Sequence, residues 1–457
     1  MQNFIKQERL TPTKAPATER LKHFGEIYRI FDAQKSAQQA ERCVQCGDPY
    51  CAANGCPLRN YIPHWLKSAA EASLRAAFRL SNENSPFPEI LGRICPQDRL
   101  CEGACTLGVD GFGAISIGAI ETSITESAFE LGETISYPPS RSGKRVAVIG
   151  SGPASLSAAT FLMRAAIEVE MFERDKKAGG LLTFGIPGFK LDKSVVERRF
   201  AYLTKGGMKL RLNADVGTNV SFDDLLAQFD AIFVGVGARN RVRANIDGED
   251  SEGVLGAIEF LSAAQERVFG GDLDKRFDVQ GKRVVVIGGG DTAMDCVRTA
   301  LRLNAKSAVC VYRRAEHQMP GSKKEFVNAK EEGAEFLFNL APSRIILTGD
   351  KVSGAEFFAT TTESDGARGK LKVIKESKTR IETDIVIMAL GFEHQDKSWL
   401  KGVKLAANGA IAIDEFGRTS NAKVFAGGDT TRGASLAVKA AADGKIAALA
   451  MIETLIV

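Results

Sequence analysis

Before about residue 142 the pattern of apolar and polar positions predicts two helical stretches. Ile62 to Leu80, rich in alanine with charges of alternating sign, reads as helical, and Glu19 to Phe31 as a short amphipathic helix. From Lys144 the pattern changes. Val146 to Ile149 is a short apolar, β-branched run, Gly150-Ser151-Gly152 turns tightly, Ala154 to Ala166 has helix composition, and Val169 to Phe172 is apolar again before Glu173. The same order returns from Lys282: an apolar strand, the turn Gly288-Gly289-Gly290, a helix, and the strand Ala308 to Tyr312. Further strands are predicted at Ala231 to Ala238, over Val352 to Ile374 as antiparallel pieces, and at Thr383 to Gln395. A helix starts near Lys193, and a long alanine-rich helix closes the chain after Gly427-Gly428-Asp429.

Strand, glycine turn, helix, strand and acid together make a dinucleotide cradle. Glycines let backbone approach a pyrophosphate, the helix start offers free N–H groups, and Glu173 can accept from ribose hydroxyls. Ser155 stands where a third glycine is usual, and its small side chain still allows close helix–strand packing. Two cradles imply two dinucleotides. The second ends not in an acid but in Arg313-Arg314, which suits a ribose 2′-phosphate and favours NADP over NAD. Asp429, before the last helix, is placed to bind a ribityl hydroxyl.

At 457 residues the chain is expected to form two or three domains. A net charge of +4 is too balanced for a nucleic-acid binder. MQNFIKQERL carries charges where a signal peptide needs an apolar core, and no long uncharged apolar run occurs, so a soluble cytoplasmic protein without a membrane role is expected. Of the nine cysteines only Cys296 and Cys310 lie outside the stretch from Cys43 to Cys105. In a reducing compartment that clustering points to metal.

The spacings Cys43-x2-Cys46-x4-Cys51-x4-Cys56-Pro57 and Cys95-x5-Cys101-x3-Cys105 suit iron–sulfur clusters, where a final Cys-Pro often serves a second cluster. Seven thiolates do not fill two four-ligand sites, so either one ligand is not cysteine or one cluster is incomplete. Structural zinc is the alternative, although it usually shows paired Cys-x2-Cys knuckles. A redox dithiol at Cys43 and Cys46 would expect a βαβ setting.

The stretches CPQDRLCEGACTLG, GGLLTFGIPGFKLDK, GGGDTAMDC and FAGGDTTRGASL make the chain resemble, over nearly its whole length, the small (β) subunit of bacterial glutamate synthase. The N-terminal part is also similar to a region of dihydropyrimidine dehydrogenase. The resemblance implies an α/β protein: an N-terminal helical iron–sulfur domain, residues 1–142, followed by two Rossmann-like dinucleotide-binding domains. Residues 143–270 and 386–457 would form the FAD domain, and 271–385 the NADPH domain.

It further implies two [4Fe–4S] clusters, one on Cys43, Cys46, Cys51 and Glu121, the other on Cys56, Cys95, Cys101 and Cys105. FAD would lie at Gly150, Gly152, Pro153, Glu173, Gly180, Leu181, Gly428 and Asp429. NADPH would lie at Gly288, Gly289, Gly290, Asp291 and Thr292, with Arg313 and Arg314 on its 2′-phosphate. No side chain is expected to act as general acid or base, because the cofactors carry the reactivity. The implied partner is a large (α) subunit that makes glutamate from 2-oxoglutarate and glutamine. Two other readings stay open: an NADPH-dependent reductase serving another acceptor such as ferredoxin, and a zinc-stapled nucleotide-binding regulatory module.

Overall fold

The computed structural model describes residues 1–138, 142–363 and 369–456. Residues 139–141, just before the domain boundary expected after 142, lie outside the described residues, as do 364–368 within the expected antiparallel strands.

The N-terminal region is helical: α1 (Ala17–Arg20), α2 (Ala33–Ala40), α3 (Ile62–Ala70), α4 (Leu74–Asn84), α5 (Pro88–Ile94), α6 (Thr106–Val109) and α7 (Ile117–Glu130). The single helix expected over Ile62 to Leu80 is two, because the chain turns at Ala72, which has φ +54°. The helix expected at Glu19 to Phe31 is confined to α1; the rest is held by a bridge between Lys14 and Tyr28 and by Arg20, which is buried against Glu331. Trp65, Ile62, Ile120 and Ile124 form the core of this region, and Cys43 and Cys105 are buried in it.

After the boundary, β1 (Arg145–Ile149) leads through α8 (Pro153–Arg164) to β2 (Glu168–Phe172), parallel to β1 with Val146 opposite Val169. Short α9 (Leu181–Phe184) and α10 (Lys193–Lys205) precede β3 (Lys209–Arg211); α11 (Phe222–Gln228) precedes β4 (Ala231–Val234). The sheet is completed from the far end of the chain. There β15 (Val424–Ala426) pairs with β4, giving the order β15-β4-β1-β2-β3. Short α15 (Asp429–Arg432) and long α16 (Ala437–Ile456) follow, with α16 packed on α8. At Gly444 a Cβ would lie 2.0 Å from the Ala154 carbonyl oxygen, so glycine is required where the helices touch.

The second sheet has the order β6-β13-β7-β8-β9, all parallel. Its strands are β6 (Val254–Gly256), β7 (Arg283–Ile287), β8 (Ser307–Tyr312), β9 (Glu335–Phe338) and β13 (Ile385–Met388), with helices α12 (Ala257–Val268), α13 (Asp291–Arg302) and α14 (Lys323–Glu331). An antiparallel sheet of β10 (Leu340–Thr348), β11 (Lys351–Glu363) and β12 (Lys370–Glu382) covers it, burying Ile345, Val352 and Phe357 against Val285, Val311 and Met388.

The boundaries expected at 270 and 385 are corrected by strand pairing. Val254 lies opposite Val386, so β6 and α12 belong to the second sheet, as does the whole of β13. Three-residue β6 is too short to show a period of its own. The chain crosses between sheets at the antiparallel pair β5 (Asn240–Arg241) and β14 (Phe392–Glu393).

Candidate functional site

The two cradles face one another across a cavity of about 750 Å³. Its first wall is Gly150, Gly152, Pro153, Glu173, Gly180, Leu181 and Asp429; its second is Gly290, Asp291 and Thr292. Gly150 has φ +89°, and a Cβ there would lie 2.7 Å from the Gly235 oxygen. At Gly152 and Gly290 a Cβ would meet nothing within 4 Å. Both helix starts thus present bare backbone to open space, which fits a pyrophosphate. Ser155 is buried and its hydroxyl donates to the Gly235 carbonyl at 3.4 Å, so helix and strand approach closely without the usual glycine.

Glu173 accepts from the Ser151 hydroxyl and, at 2.9 Å, from the Asp175 N–H. Burial raises its pKa and the Ser151 hydrogen bond opposes the rise. Asp429 accepts from the Ser435 N–H at 3.1 Å; burial lifts its pKa to about 7, and the Asp443 charge adds to the rise. Gly428 is not in the cavity wall: it has φ +79° and packs against Ala154. Gly288 and Gly289 also lie behind the surface, Gly288 under the Ala389 carbonyl and Gly289 against the Tyr312 ring. Arg313 and Arg314 follow β8 outside the cavity wall; Arg313 is exposed, and Arg314 donates to the Gly369 carbonyl at 3.2 Å.

Between the cradles lies a pair that motif reading missed. Lys190 Nζ is 2.9 Å from Asp295 Oδ1, and both line the cavity. Burial disfavours the ammonium, yet Asp295 and Glu325 carry it above the usual range; burial in turn raises Asp295 to about 6 against the pull of Lys190. The available signal was Asp295 one helical turn after Asp291, on the same face of α13. Arg298 and Arg302 both lie over the neighbouring Phe189 ring, 4.2 and 4.0 Å from its centroid. The loop before α10 is thereby fastened to the second domain.

The cysteines divide differently from the expected sets. Cys56, Cys95, Cys101 and Glu121 line one small cavity of about 30 Å³. Burial pushes Cys95 well above the thiol range, and the Glu121 and Cys56 charges add to it. Asn60 Nδ2 donates to Glu121 Oε1 at 3.0 Å; burial still lifts that carboxyl to about 8. Cys105 belongs with the other group. After burial, the Cys105, Cys43 and Cys46 charges raise Cys51, to about 12, and Cys46 Sγ is 3.5 Å from the hydroxyl of Thr106.

The resemblance-based sets are therefore corrected: Glu121 sits with Cys56, Cys95 and Cys101, and Cys105 with Cys43, Cys46 and Cys51. The reason is that α7 carries Glu121 into the wall of the cavity that Cys95 lines, while Cys105, the N-cap of α6, lies in the same core cluster as Cys43. Among the described residues no three His, Cys, Asp or Glu side chains converge on a point suited to one ion. A mononuclear zinc site needs sulfurs about 2.3 Å from a common centre. Cys95 lines both cavities, large and small.

Residues 20–133 match the family model described as dihydropyrimidine dehydrogenase domain II, 4Fe-4S cluster, and residues 144–444 match pyridine nucleotide-disulphide oxidoreductase. The chain is 46% identical over 462 residues to the glutamate synthase [NADPH] small chain of Escherichia coli K12, covering 97% of each. It belongs to the glutamate synthase small-chain family. Within that family the Azospirillum brasilense small chain is 40% identical, covering 98% of this chain and 95% of its own. A longer relative, the putative oxidoreductase UacF of E. coli K12, is 44% identical over 96% of this chain and 71% of its own length. Among solved structures, Mycobacterium tuberculosis FprA in complex with NADPH shares the fold, with TM-score 0.59 and 20% identity over 68% of this chain and 84% of that one.

Family membership makes the chain an NADPH-dependent flavoprotein oxidoreductase with 4Fe–4S, FAD and NADPH as its cofactors, and sets the zinc reading aside. It also implies a large-subunit partner. Among the described residues no helix is long and apolar enough to cross a membrane.

Proposed function

We propose that this chain is the electron-input subunit of a glutamate synthase and that it holds two [4Fe–4S] clusters. With both bound, NADPH would supply a hydride that FAD accepts, and the clusters would supply the electron path to a large subunit that forms glutamate from 2-oxoglutarate and glutamine. The protein's own work is placement. Gly150, Gly152 and Pro153 hold the FAD pyrophosphate at the start of α8, and Glu173 takes the adenosine ribose. Gly180 and Leu181 bound the flavin end, and Asp429 takes the ribityl chain. Gly288, Gly289 and Gly290 turn the chain so that Asp291 and Thr292 open the NADPH helix, and Arg313 and Arg314 take the 2′-phosphate. One cluster belongs on Cys56, Cys95, Cys101 and Glu121, the other on Cys43, Cys46, Cys51 and Cys105.

The observation that carries this reading is that both cradles and Cys95 line one cavity, while Cys95 also lines the cavity of its own cysteine group. Hydride transfer needs both rings in near-attack geometry, and electron exit needs a neighbouring acceptor. The test is an anaerobic visible spectrum with iron and acid-labile sulfide analysis. Flavin bands bleached by NADPH, with about eight iron and eight sulfide per chain, are expected. A yellow protein without sulfide would overturn the cluster assignment.

The similarity to UacF favours a second reading, the same electron-input module serving a different acceptor. Recovery of a large amidotransferase subunit with the tagged chain supports the first reading; recovery of another oxidoreductase supports the second.

A further inference from the structure

The turn between Cys95 and Cys101 carries Arg99 to the wall of the large cavity, against the second cradle rather than the first. Its Nη2 donates to Asp291 Oδ2 at 3.3 Å, and its Nη1 donates to the Pro320 carbonyl. Asp291 opens the twelve-residue α13, whose N-cap Gly290 has no side chain to cap it. The other oxygen, Asp291 Oδ1, accepts from the Ser322 N–H at 2.8 Å. The segment Pro320–Ser322 is in turn laid on the glycine turn. Gly321 N–H donates to the Gly289 carbonyl at 3.1 Å, and a Cβ on Gly321 would lie 3.2 Å from that oxygen. One guanidinium from the cysteine region therefore ties together both sides of the NADPH cradle.

This arrangement answers an electrostatic problem. A helix start attracts phosphate through its free N–H groups and dipole, but here a carboxylate stands at the first helical position. Five other cations line the cavity, and each faces carboxylates of its own: Lys190 is paired with Asp295, Arg93 with Glu26 and Glu126, Arg174 and Arg239 with Asp175, and Lys324 lies beside Glu325 and Glu102. Arg99 is the cation in contact with Asp291.

Taking NADPH at the second cradle from the reading above, we propose that Arg99 is a positioning residue for NADPH. It neutralises Asp291 and holds Pro320–Ser322 against the glycine turn, so the cysteine-bearing loop completes the nucleotide site. By linkage, whatever orders that loop strengthens NADPH binding, and NADPH binding steadies the loop.

The experiment compares the holoprotein with Arg99→Gln, Asp291→Asn and the double variant, measuring the NADP+ dissociation constant by calorimetry and by flavin difference spectrum, with iron and sulfide content. Arg99→Gln is expected to weaken NADP+ about 5-fold, the scale of one partly exposed ion pair, without loss of iron. The double variant is expected to recover part of the lost affinity, because no carboxylate is left to neutralise while the contact with the Pro320 carbonyl stays lost. Asp291→Asn alone keeps the Arg99 contact with the Pro320 carbonyl and an acceptor for the Ser322 N–H, and it should bind NADP+ at least as tightly as wild type. An unchanged constant in Arg99→Gln, equal weakness in the double variant, or weaker binding by Asp291→Asn each overturns the proposal. Wild-type protein that binds no NADP+ would instead overturn the functional reading on which it rests.

Discussion

At the scale of single residues, the structure groups the N-terminal cysteines and Glu121 otherwise than the resemblance implies. Replacing Cys105 with Ser should remove the same spectroscopic cluster as replacing Cys43. Glu121→Ala should disturb the signal that Cys56→Ser and Cys95→Ser also disturb. Electron paramagnetic resonance of the reduced variants checks this; a Glu121→Ala spectrum that matches Cys43→Ser would restore the original sets. The seven thiols of the N-terminal region were legible in the sequence, and Glu121 followed only from the family resemblance. Their partition was not, because it depends on where α6 and α7 lie. Arg313 and Arg314 are legible as a basic pair at a strand end, and they carry a second residue-scale expectation. Replacing both with Ala should weaken NADPH on the order of 10- to 100-fold, the range for hydrogen bonds to a charged group, and NADH little. Steady-state kinetics with both nucleotides checks it, and equal losses would remove the 2′-phosphate role.

At the scale of elements, α13 and α14 are joined by buried charge. Glu332, just after α14, receives Arg298 Nε at 2.8 Å and Arg302 Nη1 at 2.6 Å, and all three side chains are fully buried. Burial alone would raise the Glu332 pKa, but the hydrogen bonds from Arg298 and Arg302 prevail and hold it at about 2. The unfolded chain titrates this group near 4.3, so between those values the unfolded state binds more protons. The stabilisation is full above about pH 4.3 and is lost as pH falls through about 2. Glu332→Gln leaves two arginines short of their counter-charge and should cost about 3–5 kcal/mol at pH 7. Denaturant melts from pH 7 to 2 check both points: the wild type should lose stability through the acid window, and the variant should start lower with a flatter slope. Periodicity located α13 and α14, but it carries no information on which charged residues are buried together. The broken helix at Ala72 shows the same limit, since nothing in the alanine pattern of Ile62 to Leu80 marks a left-handed residue.

At the scale of the whole molecule, the C-terminal segment closes the first sheet through β15 and seals its core with α16. The contact at Gly444 decides how closely α16 lies on α8, and hence where Asp429 stands. Gly444→Ala would push a Cβ onto the Ala154 carbonyl and should destabilise by about 1–3 kcal/mol, as overpacking does. The accompanying expectation is reduced FAD retention, read as the flavin-to-protein absorbance ratio after gel filtration alongside the melting temperature. A variant with wild-type flavin content and melting temperature would show that this contact does not set the site.

The two glycine-turn units, the basic end of the second, the cysteine-rich start and the family were determined by the sequence alone. These are local signals: a strand, its turn and its helix lie within some thirty residues, and their chemistry follows from residue type at fixed spacing. Tertiary structure decided the rest. It assigned β6 to the second sheet and Glu121 to Cys95, paired Lys190 with Asp295, and brought Arg99 to Asp291 across 192 positions. Those contacts depend on how separately folded units pack, and packing joins residues whose separation along the chain leaves no periodic trace.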